Sequence, residues 1–257
     1  MSAGRTIVVG DVHGCLLELQ ELLERCRLTP EDRLVFIGDL VDRGPNPVEV
    51  VCLVRKLGAE CVLGNHEDKA QRWRRWEVER LRREAERAKR DPRWKPPKKE
   101  DPHADRHAEW LALSDEDLLW MRTLPEVLDV GGGWLAVHGG FEDKPMGKQS
   151  PEKCLVTRYI WEDSGDMAPL GRDLKQPPGS VFWTERWRGP DSVVYGHHVH
   201  DLQDPKIEQC EGGVECVGID TGCVFGGALS AMILVNGRRR GFISVKAKRQ
   251  YHPWTPS

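Results

Sequence analysis

Five short apolar runs punctuate the chain, and each ends in the same way: a stretch rich in β-branched residues, then glycine or histidine, then a side chain able to bind a cation. They are Ile7 to Val9 before Gly10 and Asp11, Leu34 to Ile37 before Gly38 and Asp39, Cys61 to Leu63 before Gly64 and Asn65, Trp134 to Val137 before His138, and Ser192 to Tyr195 before Gly196 and His197. Runs of this length bounded by glycine read as buried strands. Between the first two, Leu16, Leu19, Leu22, Leu23 and Cys26 recur at helical spacing and Pro30 follows the last of them; this is an amphipathic helix. Between the second and third, Asn46 is placed to cap a helix with Pro47 at its first position, and Gly58 stands just beyond Leu57 as a stop. The opening is therefore β-α-β-α-β. Crossovers of this kind give parallel strands, so the residues after their carboxyl ends converge on one crevice.

From Lys69 to about Lys99 the pattern changes, with arginine and lysine far outnumbering acids and then a proline-rich stretch from Asp91 to Pro97. This predicts a basic helix followed by a helix-breaking loop. Val78, Leu81, Ala85 and Ala88 fall at helical spacing and are expected to face the body, leaving the charge exposed. Two functions are open to such a helix: a solvated face carrying internal ion pairs, or a cationic flap that attracts a polyanionic substrate. Ser114, with Asp117 three residues on, marks a short capped helix through Met121. Near the C-terminus, Ala228 to Val235 and Gly241 to Val245 flank the turn signal Asn236-Gly237, with Arg238 to Arg240 lengthening the connection.

A length of 257 residues suits one catalytic domain, and a formal net charge of −3 points to neither a nucleic-acid-binding nor a membrane protein. No segment approaches the roughly 20 apolar residues that span a bilayer, and the N-terminus lacks the apolar region of a secretory signal. Eight cysteines lie scattered without a C-x-x-C pair, four of them (Cys15, Cys26, Cys52, Cys61) within apolar or amphipathic runs. These features predict a reduced, cytoplasmic protein whose cysteines are mostly small core residues.

The strand-end residues change the picture more. Asp11, His13, Asp39, Asn65, His138 and His197 supply hard oxygens and borderline imidazoles, a donor set suited to Mn, Fe, Zn or similar ions. Six ligands are too many for one ion with open positions but suit two ions about 3.5 to 4 Å apart that share a carboxylate. Any one of these residues has a plain local role, as a helix cap, a turn or a satisfied histidine; five strand ends repeating the pattern do not. His198 and His200 invite overreading. In an extended segment His198 points away from His197, so only His197 counts as a ligand.

The segments Gly10-Asp11-Val12-His13-Gly14, Gly38-Asp39-Leu40-Val41-Asp42-Arg43-Gly44 and Gly64-Asn65-His66-Glu67 resemble three signature motifs of the phosphoprotein-phosphatase branch of the calcineurin-like metallophosphoesterases. Val137-His138-Gly139-Gly140 and Gly196-His197 resemble the fourth and fifth. The resemblance implies a four-layer α-β-β-α sandwich of two mixed sheets with a dinuclear metal site at strand ends, in a single domain over residues 1–257 carrying a basic helical insertion at about 69–110. It implies that Asp11, His13 and Asp39 hold one metal, and that Asp39 bridges to a second held also by Asn65, His138 and His197. His66 would be the general acid, oriented by Asp42, and Arg43 would bind phosphate alongside Asn65. A second phosphate-binding arginine is usual in this family. Arg158 is the candidate, with Arg186 and Arg188 also available.

The chemistry calls for these residue types independently. An imidazolium beside a carboxylate can protonate a leaving oxygen, and a guanidinium fork matches phosphoryl oxygens better than an ammonium does. Gly218 to Gly227 resembles the corresponding stretch of bacterial symmetrical bis(5′-nucleosyl)-tetraphosphatases, which implies cleavage of diadenosine tetraphosphate to ADP, with manganese the metal expected to serve in vitro and Fe, Zn, Ni or Co able to replace it. Asp42 and the His138-Gly139-Gly140 form point toward serine/threonine protein phosphatases instead, so a phosphoprotein or a broad range of phosphomonoesters is the alternative substrate. A non-catalytic scaffold is disfavoured because His66, Arg43 and every expected ligand are present.

Overall fold

The computed structural model describes residues 4–96, 103–171 and 175–254. Strand β1 (Arg5–Val9) leads through helix α1 (Leu16–Cys26) to β2 (Arg33–Phe36), and α2 (Pro47–Lys56) carries the chain to β3 (Glu60–Cys61). A long helix, α3 (Asn65–Arg90), then leaves the sheet and is followed by α4 (Ala104–Ala112) and α5 (Asp115–Met121). The second half supplies β4 (Val127–Asp129), β5 (Trp134–Val137), the one-turn α6 (Pro151–Cys154), β6 (Tyr159–Trp161), β7 (Met167–Ala168), β8 (Ser180–Phe182) and β9 (Ser192–Tyr195). It closes with β10 (Lys206–Gln209), β11 (Glu215–Gly218), β12 (Ala228–Val235) and β13 (Arg238–Lys246).

Two five-stranded mixed sheets result, ordered β13-β12-β1-β2-β3 and β10-β11-β9-β5-β4, with a small third sheet β7-β6-β8. Strands β1, β2 and β3 are parallel, as the helical crossovers require, and β5, β9 and β11 are parallel in the second sheet. The side-chain alternation of β1 shows how the layers stack. Ile7 and Val9 face a core with Leu19, Leu22 and Cys26 of α1 and Val50, Val51 and Val54 of α2. Val8 faces the other way, into a core shared with Ala136, Val194 and Val217 of the second sheet. Beyond that sheet, Val137, Val193 and Tyr195 pack on Phe141, Tyr159, Phe182, Trp183 and Trp187, so the fourth layer is built from the small sheet and aromatic loops.

Several local expectations change in detail. Only Cys61 of the third apolar run lies in a strand, because the backbone N–H of Leu63 turns away to Pro125 O (2.8 Å). Asn46 makes no side-chain cap to α2; its backbone N–H instead bonds Gly14 O (3.0 Å), tying the helix start to the first motif. Arg238 to Arg240 belong to β13 rather than to the connection, and a bulge after Ile233 absorbs the extra residue. Cys52 is exposed, whereas Cys15, Cys26 and Cys61 are buried, and all eight cysteines are free thiols. Ser114 caps α5 as expected, accepting the N–H of Asp117 (3.1 Å) while Asp117 accepts that of Ser114 (3.0 Å).

The largest correction concerns the basic helix. It begins at Asn65 and ends at Arg90, and its rise makes it about 39 Å long, more than the body can cover. His66, Glu67, Ala70 and Gln71 are buried, but Val78, Leu81, Ala85 and Ala88 are exposed rather than turned to the body. Arginines along the projecting part pair internally, Arg80 with Glu77 and Glu84 and Arg83 with Glu79. This is the pattern of a solvated helix. The end of the expected basic segment, Pro97 to Lys99, lies outside the described residues.

One half-buried ion pair fixes where the first sheet begins. The Asp32 carboxylate accepts the backbone N–H of Arg5 (3.0 Å), its Nε (3.0 Å) and Nη2 (2.5 Å), and the N–H of Thr29 (2.9 Å). The Arg5 guanidinium, outweighing burial, holds this carboxyl below its ordinary range. Because the folded value is depressed, its stabilisation is present above the unfolded carboxyl pKa and lost as pH falls. Asp32→Asn is expected to lower stability by about 1–3 kcal/mol near neutrality. In paired urea melts, the gap from wild type should narrow below about pH 4; a gap independent of pH would show that the carboxylate charge contributes nothing.

Candidate metal and phosphate site

The carboxyl ends of the parallel strands all open on one place. Asp11 and His13 follow β1, Asp39 follows β2, Asn65 follows β3, His138 follows β5 and His197 follows β9. Among the described residues, seven non-glycine positions have positive φ, and five of them are here: His13, Asp39, Asp42, Arg43 and His197. Left-handed backbone is strained for such side chains and persists where the surroundings over-determine it, as at functional sites.

What holds these turns is a set of backbone donors and buried acceptors. Glu67, fully buried on the first turn of α3, accepts the N–H groups of Asp39 (2.8 Å), Leu40 (2.7 Å), Val41 (3.1 Å) and Gly64 (3.2 Å). Asp39 in turn accepts the N–H of His66 through Oδ1 (3.0 Å), and its backbone oxygen takes the N–H of His13 (2.7 Å). Both oxygens of Asp11 face the N–H of His197, at 3.1 and 3.3 Å. Glycine is needed at two close approaches. A Cβ on Gly64 would strike Asp39 N and Oδ1, and one on Gly196 would strike Asp11 Oδ1.

The histidine tautomers follow from their partners. His13 Nδ1 lies 2.9 Å from Val41 O and His138 Nδ1 lies 2.7 Å from Ile37 O, so these nitrogens carry the protons and both Nε2 atoms face the centre. His13 Nε2 accepts from Arg43 Nη1 (2.8 Å), a lone pair already aimed at a cation. His138 Nε2 is 2.9 Å from Asn65 Oδ1 and 3.3 Å from Asp39 Oδ1. Asp39 is therefore the hub. It brings ligand atoms within 4.8 Å of those of His138 and His197, and likewise within 4.8 Å of those of His13 and His66.

The electrostatics are those of acids confined without solvent. Burial, then Asp220 and Asp39, raise Asp11 well above the ordinary carboxyl range. Asp39 is held well below it despite burial, by His138 and His66 and then His13. His138 is correspondingly pushed up to about 10, against its burial, by Asp39 and then Asp11. Burial and Arg43 keep His13 low, and burial and Arg158 keep His197 low. Two neutral imidazoles, His13 and His197, and a third, His138, whose proton a cation would displace, face a crowd of carboxylates and an amide oxygen, a donor set that fits divalent cations.

The structure gathers the expected residues unevenly. Asp11 stands within the cluster but outside both close trios, whereas His66, expected as an acid, falls inside one. Its Nδ1 is bonded to Asp42 Oδ2 while Nε2 faces Asp39 Oδ2 at 3.8 Å. Arg158 donates to His197 O (3.0 Å), and its buried Nε has no hydrogen-bond partner. Arg188 pairs with Glu211 on the surface (2.7 Å) and Arg186 lines a separate cavity beside Trp183 and Trp187, so of the three candidates Arg158 is the one beside the cluster. His198 and His200 stay out of the cluster, though not for the reason expected. The segment is not extended: His198 N bonds Gly196 O (2.6 Å) in a tight turn about His197, and both later rings pack on Phe182. Burial holds His198 near 3 and His200 near 4, so both are neutral.

Two residues escaped the sequence reading. Glu67 closes the third motif, and its role as backbone acceptor has no periodicity to betray it. Asp220 follows β11, a sixth parallel strand end, and burial, partly offset by the Gly222 N–H and Arg43, raises its carboxyl. Its signal was available in the same grammar, since Val217-Gly218-Ile219 precedes it.

A family model described as calcineurin-like phosphoesterase matches residues 4–218. The chain is 30% identical over 239 residues, covering 88% of each protein, to the asymmetrical bis(5′-nucleosyl)-tetraphosphatase of Geobacillus thermodenitrificans. It is 28% identical to a symmetrical bis(5′-nucleosyl)-tetraphosphatase of Methylococcus capsulatus, over 88% of this chain and 90% of that one. A crystal structure provisionally named a diadenosine tetraphosphatase superposes with a TM-score of 0.72 at 27% identity, covering 95% of this chain and 94% of that one. A serine/threonine phosphatase of Saccharomyces cerevisiae shares the fold, with a TM-score of 0.56 at 16% identity over 98% of this chain and 82% of that one.

Gly196 offers a test of the site that leaves every donor in place. Gly196→Ala forces the Asp11 carboxylate to move and is expected to weaken divalent-metal binding by about 10- to 100-fold, the scale of losing a ligand's support. Titration of metal-free protein with Mn²⁺ measures this. Unchanged affinity would show that Asp11 can be displaced without consequence and is not a ligand.

Proposed function

We propose, for a chain that belongs to the calcineurin-like phosphoesterase family, that it hydrolyses dinucleoside polyphosphates with a pair of divalent ions held at the strand ends. The observation that carries the reading is Asp39, shared by two trios of metal-binding atoms and flanked by a histidine–carboxylate pair. Asp11, His13 and Asp39 would hold one ion, and Asp39, Asn65, His138 and His197 the other. Bound there, the ions would supply Lewis acidity toward phosphoryl oxygen and acidify the attacking water.

The side chains supply the rest. Arg43 and Arg158, with Asn65 beside them, bind and orient the reacting phosphate, each guanidinium offering donors in a fixed fork. The Arg43 guanidinium lies 5.3 Å from the centre of the Phe225 ring, and with a cation on His13 its Nη1 would turn to the phosphate. His66 delivers the proton to the leaving oxygen through Nε2, and Asp42 at Nδ1 fixes its orientation. A groove of about 380 Å³ starts at Asn65 and is lined by Lys69 and Arg72 but also by Asp68, which pairs with Arg72, and Glu152; it gives room beside the site for a substrate longer than a monoester. The relatives named as tetraphosphatases support the same class. Serine/threonine phosphatase activity is the second reading, supported by Asp42 in the second motif.

Product analysis on diadenosine tetraphosphate, run beside phosphoserine and phosphothreonine peptides, separates these readings. Faster turnover of the tetraphosphate is expected, with ADP alone for symmetrical cleavage and equal ATP and AMP for asymmetrical cleavage; preference for the peptides overturns the proposal. Dialysis against chelator should abolish turnover and Mn²⁺ restore it. Full activity in metal-free protein would refute the metal-dependent mechanism.

The acid has its own test. His66→Asn should lower turnover by roughly 10²-fold on alkyl phosphates and much less on aryl phosphates, whose leaving groups need little protonation. Metal content should stay near wild type. Loss of one ion would instead assign His66 as a ligand, a role its distance to Asp39 permits.

A further inference from the structure

Asp42 has a partner that the five motifs do not supply. Its Oδ2, already bonded to His66 Nδ1, also forms an ion pair with Nε of Arg106 at 3.2 Å, while its Oδ1 is buried without a hydrogen-bond partner among the described residues. Arg106 sits on α4, far along the chain in the segment inserted between β3 and β4. Helix α4 is docked by aromatic contacts to the first turns of α3. The His107 ring stacks on Trp73, with centroids 4.2 Å apart and planes within 19°, and Trp110 packs against both at 5.6 and 5.2 Å. Arg106 itself lies over the Trp110 ring, 5.9 Å from its centre. The same helix α3 carries His66 at its start and Trp73 two turns later, so the platform that receives α4 is rigidly joined to the acid.

We propose that Arg106 is a positioning residue for the reaction: delivered by the inserted helix, it fixes the Asp42 carboxylate so that His66 presents Nε2 to the leaving oxygen. Asp42 needs such a brace. It is in the strained left-handed region (φ 74), its side chain is wholly buried, and one oxygen is unpartnered among the described residues, so without Arg106 the one polar side chain holding the carboxylate would be His66, the group it must orient. A guanidinium charge 3.2 Å from Oδ2 favours the placement of the buried carboxylate that keeps this oxygen between Arg106 and His66. The inserted helices are thereby part of the catalytic assembly, and undocking α4 would release the brace. This inference rests on the reading of His66 as the acid.

The test is a double-mutant cycle read on two leaving groups, with metal-loaded full-length protein. Arg106→Ala should lower kcat on an alkyl phosphate by about tenfold, a part of what a general acid provides, and leave kcat on a nitrophenyl phosphate nearly unchanged. KM should not move, and Arg106→Lys should recover part of the loss. In a His66→Asn background, Arg106→Ala should cost nothing further, because a residue that acts through another is non-additive with it. An equal additional loss in that background, or a rise in KM at constant kcat, overturns the proposal and makes Arg106 a direct substrate contact. No loss on the alkyl phosphate, with His66→Asn still selective for poor leaving groups, overturns the role of Arg106 alone. Uniform losses across leaving groups for His66→Asn overturn the acid itself and this role with it. Thermal melts identify an unfolded Arg106→Ala, in which case Arg106→Lys decides: a partial loss of kcat confined to the alkyl phosphate supports the proposal, and an equal loss on both phosphates or none on either overturns it.

Discussion

Three carboxylates, Asp11, Asp39 and Asp220, are buried within reach of one another, at 3%, 2% and 7% exposure, and the rest of the molecule is arranged to make that arrangement tolerable. Removing a carboxylate from water costs several kcal/mol unless charge or hydrogen bonds replace the solvent. Here the replacement comes from both sheets at once. Asp11 of the first sheet takes the backbone N–H of His197 from the second, and His138 of the second sheet bonds Ile37 O of the first. The two sheets are joined by apolar side chains through most of their contact, but at this end they are joined by polar bonds that a shift of one residue in register would break.

The same constraint explains why the loops are strained where they are. To aim a carboxylate, an imidazole or a guanidinium inward from the end of a strand, the chain must reverse within two or three residues. His13, Asp39, Asp42, Arg43 and His197 accept positive φ to do so. Glu67 is the counterpart of that strain: one carboxylate gathers four N–H groups from the Asp39 and Gly64 loops that no strand or helix could satisfy. Its own carboxyl is pushed up to about 7 by burial and Asp39, so the group that organises the loops is itself held under electrostatic stress.

Most of the fold was legible in the chain because parallel strands ending in glycine leave a strong local signal. Ile7 to Val9 and Leu34 to Ile37 needed no distant information to be read as buried strands, and Ser114 with Asp117 needed none to be read as a cap. The site was legible for a different reason: the same ending recurs, and recurrence converts weak local evidence into strong evidence. Distant competition accounts for the failures. Leu63 leaves its strand because Pro125 offers an acceptor, and the start of α2 is fixed by the bond from Asn46 N–H to Gly14 O and not by a side-chain cap. Val78 and Leu81 had the right spacing to face a body, but periodicity states which face of a helix is apolar and not whether anything lies beneath it.

That helix divides into two parts with opposite physics. Its first two turns are clamped among charges, with His66 and Glu67 buried, and cannot move without disturbing the Asp39 loop. Its far half touches little, is solvated by its own ion pairs, and is free to vary in length and sequence at small energetic cost. Between them lies the Trp73 platform, where α4 docks. A site whose donors are fixed by strand ends has little room to change without losing its capacity to bind metal or its fold. Changes of substrate must then come from what is laid against it: the groove beside Lys69 and Arg72, and the inserted helix that brings Arg106 to Asp42. The clamped and the solvated parts of the enzyme meet on a single helix, within three turns of His66.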